Sequence, residues 1–193
     1  MTDTFKLVTD TLLTPAGLET SDIDRLMGRL LSQDIDYADL YFQYSRQEGW
    51  VLEDGAVKSG SRSTDQGVGL RAVSGEKTGF AYSDEFVLPA LAQAADAARA
   101  IAKSGGATSP VQWRNAKSPP LYTPADPLSS LSDQDKVELL QAVEVQARAC
   151  DPRVSQVMAS LAAVHDVVLV ARSDGQMTAD VRPLVRLNVT VIV

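Results

Sequence analysis

The sequence contains few of the residues that build metal and disulfide sites. Its 193 residues include one cysteine, Cys150, and one histidine, His165. A single cysteine excludes an internal disulfide and any cysteine-based zinc cluster. No run of 18 apolar residues predicts a membrane-spanning helix, and no basic-then-apolar leader opens the chain. We therefore expect a cytoplasmic protein without membrane contact.

Positive charge is also scarce. The chain has 18 lysines and arginines against 25 aspartates and glutamates, which gives a formal net charge of −7. The basic residues are scattered, whereas phosphate contacts need clustered Lys and Arg, so direct nucleic-acid binding is not expected. The 45% hydrophobic content is typical of a globular protein, and the length fits one domain over residues 1–193.

Apolar residues recur at every second position from Tyr37 to Tyr82. This period is typical of strands with one buried face. Asp54–Gly55 and Ser74–Gly75 have the chemistry of tight hairpin turns, and Asp65–Gly67 offers a third corner. The pattern predicts an antiparallel meander of four or five short strands.

Helical spacing precedes and follows the meander. It predicts a helix over residues 4–13, a second helix capped by Ser21, and an alanine-rich third helix from Leu88 to Ile101 that Gly105–Gly106 ends. A fourth helix opens at Ser132. Its capping-box partner is Asp135, and its expected buried stripe is Val137, Leu140, Val143 and Ala147.

The C-terminal part predicts a long β-hairpin that turns at Ser173–Gln176. On the returning strand one face carries Val185, Leu187, Val189, Val191 and Val193, and the other carries Leu184, Arg186, Asn188, Thr190 and Ile192. The predicted fold class is therefore α+β, with an antiparallel sheet made of the meander and this hairpin, and helices packed on it.

A proline-rich strap lies at about residues 107–131, between the third and fourth helices. Five of the nine prolines fall in it, so we expect it to be less ordered than the flanking helices. Trp113 and Tyr122 predict that it packs down in places. It is interpreted either as a strap that contacts a partner or a missing domain, or as a surface connection.

His165 and Cys150 are the two residues that could suggest catalysis. The pair His165–Asp166 could transfer protons, but neighbours in a strand point to opposite faces, so a bulge or an exposed face is the better interpretation. Cys150 could be a nucleophile with His165 as its base. No motif surrounds it, and a buried inert thiol is the favoured interpretation.

Glycines and acidic residues suggest two weaker sites. Gly67, Gly69, Gly75 and Gly79 could suggest a phosphate loop, but they alternate within strands, where glycine marks a bulge or the close approach of another backbone, such as an extended peptide.

The acidic residues of the meander could hold a metal, although a solvated surface is the favoured interpretation; they are Asp36, Asp39, Glu48, Glu53, Asp54 and Asp65.

Five blocks carry a family resemblance. They are YADLYFQ (37–43), WVLEDG (50–55), DQGVGLRAVSGEKTGFAYSDE (65–85), DPRVSQVMASL (151–161) and SDGQMTADVRPLVRLNV (173–189). In this order they resemble the N-terminal region of the TldD/PmbA family of zinc metallopeptidases, also described as modulators of DNA gyrase. The resemblance leans towards the TldD branch and covers nearly the whole chain.

The resemblance implies a non-catalytic domain. The zinc of the family is bound by an HExxxH helix in the C-terminal half, whereas His165 is followed by Asp166 and Val167. We therefore expect no catalytic, cofactor-binding or metal residue in this chain. The family implies a substrate of unfolded or short peptides, a PmbA (TldE) paralogue as partner, and a domain that lines the substrate chamber. The alternative is a free-standing peptide- or protein-binding module.

The chain stops at Val193 in the middle of an alternating pattern. We interpret this end as an artificial or truncated boundary, although a natural edge strand would look the same. A strand of β-branched residues with an unpaired edge favours edge-to-edge pairing. We therefore expect the chain to self-associate, with the last strand in the contact.

Overall fold

The computed structural model describes residues 4–31, 35–102, 112–115 and 121–193. The fold class is α+β, as predicted, with a six-stranded sheet in the order β3-β2-β1-β5-β6-β4. The sheet is mostly antiparallel, and the short β4 pairs in parallel with β6. The elements are α1 (Thr4–Leu12), a 3-10 helix (Thr14–Ala16), α2 (Thr20–Leu30), β1 (Tyr37–Glu53), β2 (Ala56–Ser74), β3 (Lys77–Ser83), α3 (Leu88–Ala102), β4 (Arg114–Asn115), α4 (Asp133–Cys150), β5 (Gln156–Arg172) and β6 (Gln176–Ile192).

The meander has three long strands where four or five short ones were expected. Asp54 and Gly55 adopt positive φ angles of 47° and 77° between β1 and β2, and Gly75 does so at 56° between β2 and β3. The expected corner at Asp65–Gly67 is wrong, because β2 continues through it as a strand. A dipeptide that tolerates a turn does not force one when its neighbours can extend the ladder on either side.

Two of the predicted helix starts can be compared with their caps. The start of α4 is confirmed, since Asp135 N donates to Ser132 Oγ at 3.2 Å and Ser132 N donates to an Asp135 carboxylate oxygen at 3.1 Å. The prediction of Ser21 as the cap of α2 is wrong. The N-cap is Glu19, whose backbone N–H donates to the Asp22 carboxylate at 3.0 Å in a capping box.

The described residues group into two compact units. The first comprises Met1–Tyr44, Asp65–Leu121 and Val167–Val181. In its core α1, α2 and α3 pack on the sheet, and the rings of Phe42 and Phe86 meet edge to face with centroids 5.9 Å apart. Trp113 packs against this core and donates its indole N–H to Asp24, so the prediction that the strap packs down is confirmed for Trp113. It is wrong for Tyr122, which is 44% exposed.

The second unit comprises Ser45–Thr64, Tyr122–Asp166 and Arg182–Val193. Its apolar core is small: Leu140 of α4 contacts Leu52 of β1 and Ala159 and Leu161 of β5. Of the stripe expected on α4, Leu140 alone is buried, and the other two buried residues of that helix are Lys136 and Glu144. In this unit polar contacts therefore supplement a limited hydrophobic core.

Two predictions, the lower order of the proline-rich strap and the helix stop at Gly105–Gly106, fall wholly or partly on residues outside the described ranges. Residues 103–111 and 116–120, which include the expected helix stop at Gly105–Gly106, lie outside the described residues. No helix in the described ranges is long and apolar enough to cross a membrane.

Candidate functional site

His165 lies on β5 and is buried, with 6% of its surface exposed. The expected exposed face at this residue is therefore wrong, and the alternative of a bulge stays a prediction. Arg46 of β1 directs its guanidinium Nη2 to the imidazole Nδ1 at 3.3 Å, and the same nitrogen donates to the Asp126 carboxylate at 2.8 Å. The sequence did not indicate that Arg46 and Asp126 would surround the histidine.

The surroundings of His165 keep its ring neutral. Burial lowers the pKa of the imidazole below its ordinary value of 6.5, the charge of Arg46 lowers it further, and the carboxylates of Asp126 and Asp166 oppose the shift. Burial alone would raise the pKa of Asp126, but hydrogen bonds from Arg46, Leu128 N and Ser129 Oγ outweigh it and hold that pKa below its ordinary value. The cluster is a buried polar contact between β1, β5 and the segment that precedes α4.

Cys150 is exposed, so the expected buried thiol is wrong. It is the last residue of α4 and lies beyond the part of that helix that packs on the sheet. No hydrogen bond joins it to His165 within the described residues. The structure therefore does not assemble the cysteine–histidine pair considered above.

The buried carboxylate of Glu48 forms the densest ionic network of the second unit. Its Oε1 accepts from Lys136 Nζ at 2.7 Å and from Trp50 Nε1 at 2.8 Å, and its Oε2 accepts from Arg62 Nε at 2.9 Å. The side chains of Glu48 and Lys136 are each 3% exposed. Lys136 Nζ also donates to Leu128 O at 2.7 Å. This network fixes α4 to β1.

Other acidic residues of the meander also stabilise the fold. Asp39 is buried, so a solvated surface is the wrong interpretation for it as well as for Glu48. It accepts from Arg71 Nε at 3.0 Å, and the Arg71 guanidinium lies 5.7 Å from the centroid of the Tyr37 ring. Asp36 accepts from Gly75 N at 2.6 Å and holds the second hairpin turn. Within the described ranges no group of three or more His, Cys, Asp or Glu could hold a metal ion.

The glycines of β2 and β3 are strand residues. Gly69 pairs with Tyr82 and Gly79 pairs with Ala72 in the antiparallel ladder, so no phosphate loop forms there. At Gly79 the expected close approach of another backbone is confirmed. A Cβ built on this residue would lie 1.8 Å from the carbonyl oxygen of Ala98 in α3.

A groove of about 490 Å³ opens in the first unit. Leu12, Pro15, Phe86 and Val87 contribute apolar walls, and Thr11, Tyr44 and Gln66 contribute uncharged polar groups. None of these lining residues carries a charge.

The end of β6 exposes apolar side chains. Asn188 Nδ2 contacts Ser160 Oγ at 3.4 Å, which places Asn188 on the same face as Ser160 of β5. The alternate residues of β6 therefore share the other face with Ala159 and Leu161, the residues that α4 covers. We name them the β6 stripe: Val185, Leu187, Val189 and Val191, each between 40% and 56% exposed.

The outer edge of β6 is open along the same stretch. Within the described residues the only strand beyond it is β4, which pairs at Gln176 and Met177. Among the described residues, no strand therefore pairs with this edge beside the β6 stripe. This is the surface of the second unit best suited to contact another protein segment.

The sequence of this chain matches two domains of one protein family. Residues 38–102 match PmbA/TldA metallopeptidase domain 1, and residues 126–193 match the PmbA/TldA metallopeptidase central domain. A metalloprotease TldD homolog of Haemophilus influenzae is 48% identical over 188 residues, and one of Buchnera aphidicola from Acyrthosiphon pisum is 36% identical over 192 residues. These alignments cover 96% and 98% of this chain and 39% of each relative.

Solved structures share the fold. A protein of Bacteroides thetaiotaomicron described as a modulator of DNA gyrase superposes with a TM-score of 0.66 at 18% identity, over 89% of this chain and 40% of its own. TldE from Thermococcus kodakarensis superposes with a TM-score of 0.55 at 16% identity, over 88% of this chain and 42% of its own. The chain belongs to the PmbA/TldD metallopeptidase family and corresponds to its N-terminal part.

Proposed function

We propose that this chain is the non-catalytic N-terminal part of a TldD-type zinc metallopeptidase that acts on unfolded or short peptides in the cytoplasm. The observation that carries the proposal is the match to both domain 1 and the central domain of the family, together with TldD relatives of which the chain spans 39%. The single histidine of the sequence supports the assignment of the zinc to the remaining length of such a protein.

In this proposal the chain forms part of the wall of the substrate chamber and contacts the partner subunit. The β6 stripe and its open edge support this role, because apolar side chains beside unpaired strand backbone suit contact with another protein segment. The partner we propose is a PmbA- or TldE-type paralogue. The fold that this chain shares with TldE of Thermococcus kodakarensis supports a partner of this type.

A second candidate is a free-standing peptide- or protein-binding module, which the same open strand edge would also suit. The reading frame after codon 193 separates the two candidates. An HExxxH sequence in frame supports the metallopeptidase proposal. A stop codon directly after Val193 contradicts it and favours the binding module.

Self-association of the 193-residue chain belongs to the same proposal. We expect light scattering to give the mass of a symmetric dimer at high micromolar concentration, since the two-fold dimer is the commonest closed arrangement. Replacing Val189 or Ile192 with lysine should give monomers, because a charge on an edge strand discourages pairing.

Val145 provides the matched control, because it is 63% exposed on α4 and lies outside the β6 strand. The Val145→Lys variant should dimerise as the wild type does. A wild type that stays monomeric, or Val189→Lys and Ile192→Lys variants that dimerise equally well, would contradict this part of the proposal.

A further inference from the structure

The turn that leads into α4 contacts the sheet through the carboxylate of Asp126, and its Leu128 O also accepts from Lys136 Nζ, the ion-pair partner of Glu48, at 2.7 Å. We define the Asp126 turn as residues 126–132. Asp126 accepts hydrogen bonds from Leu128 N at 3.0 Å and Ser129 Oγ at 3.0 Å within the turn, and from Arg46 Nη2 at 2.8 Å on β1. The Asp126 side of this turn is therefore held on the sheet by the Arg46 guanidinium.

His165 holds that guanidinium from the other side. A guanidinium has no acceptor, so its contact with Nδ1 at 3.3 Å requires Nδ1 to accept and places the proton of the neutral ring on Nε2. Nε2 is buried and has no hydrogen-bond partner within the described residues. The ring is thus held by a single polar contact that exists only while Nδ1 is unprotonated.

We propose that His165, Arg46 and Asp126 form a pH-sensitive contact that holds the Asp126 turn on the sheet and releases it when His165 takes up a proton. Protonation of Nδ1 removes the acceptor used by Arg46 and sets a second positive charge beside the guanidinium. The two neighbouring positive charges repel one another, so the Arg46 guanidinium is displaced and its contact with Asp126 weakens.

Burial sets the direction of the response, because it lowers the pKa of the His165 imidazole, and the charges around the ring modify that shift. Arg46 on β1 opposes protonation, while Asp126 in the turn and Asp166 beside His165 on β5 favour it. Glu48 and Lys136, the next charged pair along β1 and α4, neutralise one another at 2.7 Å.

The stability contribution follows from that direction. Because burial and Arg46 lower the folded pKa of His165 below 6.5, the unfolded chain binds the proton first as the pH falls. The contribution of this contact is complete above pH 6.5 and is lost as the pH falls through the folded pKa. Asp126 keeps its charge in this window, because its own pKa lies below its ordinary value of 3.8.

An NMR titration of the 193-residue chain tests the proposal. We expect the amide signals of Leu128 and Ser129 to move with the same midpoint as the His165 ring, below pH 6.5. Arg46→Gln should raise the ring midpoint and Asp126→Asn should lower it, each by about 1 pH unit. In His165→Gln, where the side-chain oxygen still accepts from Arg46, the movement of the two amides at that midpoint should disappear.

Three results would overturn the inference. The first is that the amide signals of Leu128 and Ser129 do not shift at the pH where the His165 ring titrates. The second is that these signals shift in His165→Gln as they do in the wild type. The third is that Arg46→Gln and Asp126→Asn leave the titration midpoint of the ring unchanged. Should His165→Gln fail to fold, the two charge variants and the wild-type amides decide the question alone. None of these results bears on the reading frame after codon 193, so the proposed function is tested separately.

Discussion

Replacing Gly79 with alanine should destabilise the protein by about 3 kcal/mol, the upper end of the usual cost of overpacking. A Cβ on Gly79 would lie 1.8 Å from Ala98 O, 2.9 Å from Ala98 C and 3.1 Å from Ala102 N. All three are backbone atoms of α3, so no flexible side chain can move aside, and α3 must separate from β3. Urea unfolding should show the loss as a lower midpoint with an unchanged slope.

Gly28→Ala is the matched control for this experiment. Gly28 is exposed in α2, and a Cβ there meets no atom within 4 Å. Because glycine in a helix interior is less favourable than alanine, this variant should be about 0.5–1 kcal/mol more stable than the wild type. A Gly79→Ala variant with wild-type stability would contradict the close packing of α3 on β3.

Removing the charge of Glu48 should also cost about 3–5 kcal/mol, the range for breaking one side of a buried ion pair. Glu48→Gln leaves the Lys136 ammonium, 3% exposed, without its carboxylate partner at 2.7 Å. The double variant Glu48→Gln/Lys136→Met should recover part of the loss, since it removes the uncompensated charge as well. Urea unfolding of the two single variants and the double variant measures the coupling.

An exposed ion pair serves as the control for the buried one. Lys6 and Asp10 pair across one helical turn with side chains 72% and 54% exposed, so Lys6→Met should cause no measurable loss. Equal stability of Glu48→Gln and the wild type would show that the Glu48 network contributes nothing.

The same carboxylate gives a pH dependence with a defined sign. Burial alone would raise the pKa of Glu48, but the hydrogen bonds from Lys136, Trp50 and Arg62 outweigh it and hold the pKa below the ordinary value of 4.5. Its contribution to stability is therefore complete above pH 4.5 and is lost as the pH falls through the folded pKa. Glu48→Gln should lack this part of the acid-induced loss.

Local sequence patterns predicted the parts of the fold that local chemistry determines. The turn at Asp54–Gly55 and the capping box of Ser132 and Asp135 each depend on residues within three positions of one another. The returning strand of the C-terminal hairpin was predicted from the alternation of residues 184–193, and β6 spans Gln176–Ile192. The Asp65–Gly67 corner failed because its residues permit a turn that the extended neighbours do not require.

The polar contacts of the second unit depend on residues far apart in the chain. Glu48 meets Lys136 and Arg46 meets His165 only after β1, β5 and α4 come together, so neither pair has a local pattern. The spacing of Lys136, Leu140 and Glu144 at i, i+4 and i+8 does place two charged residues on the apolar face of α4. If these three positions are taken as the buried face of the helix, their spacing indicates that Lys136 and Glu144 need oppositely charged partners on the sheet.

Zinc analysis of the isolated chain tests whether this part of the protein lacks the catalytic metal site. The protein is stripped with a chelator, reloaded with zinc, freed of excess metal and measured for bound zinc and for cleavage of unfolded peptides. A catalytic zinc site normally has three protein ligands, and the sequence offers one histidine and one cysteine besides its carboxylates. We expect no stoichiometric zinc and no peptidase activity. One tightly held zinc per chain, with or without peptide cleavage, would contradict this expectation.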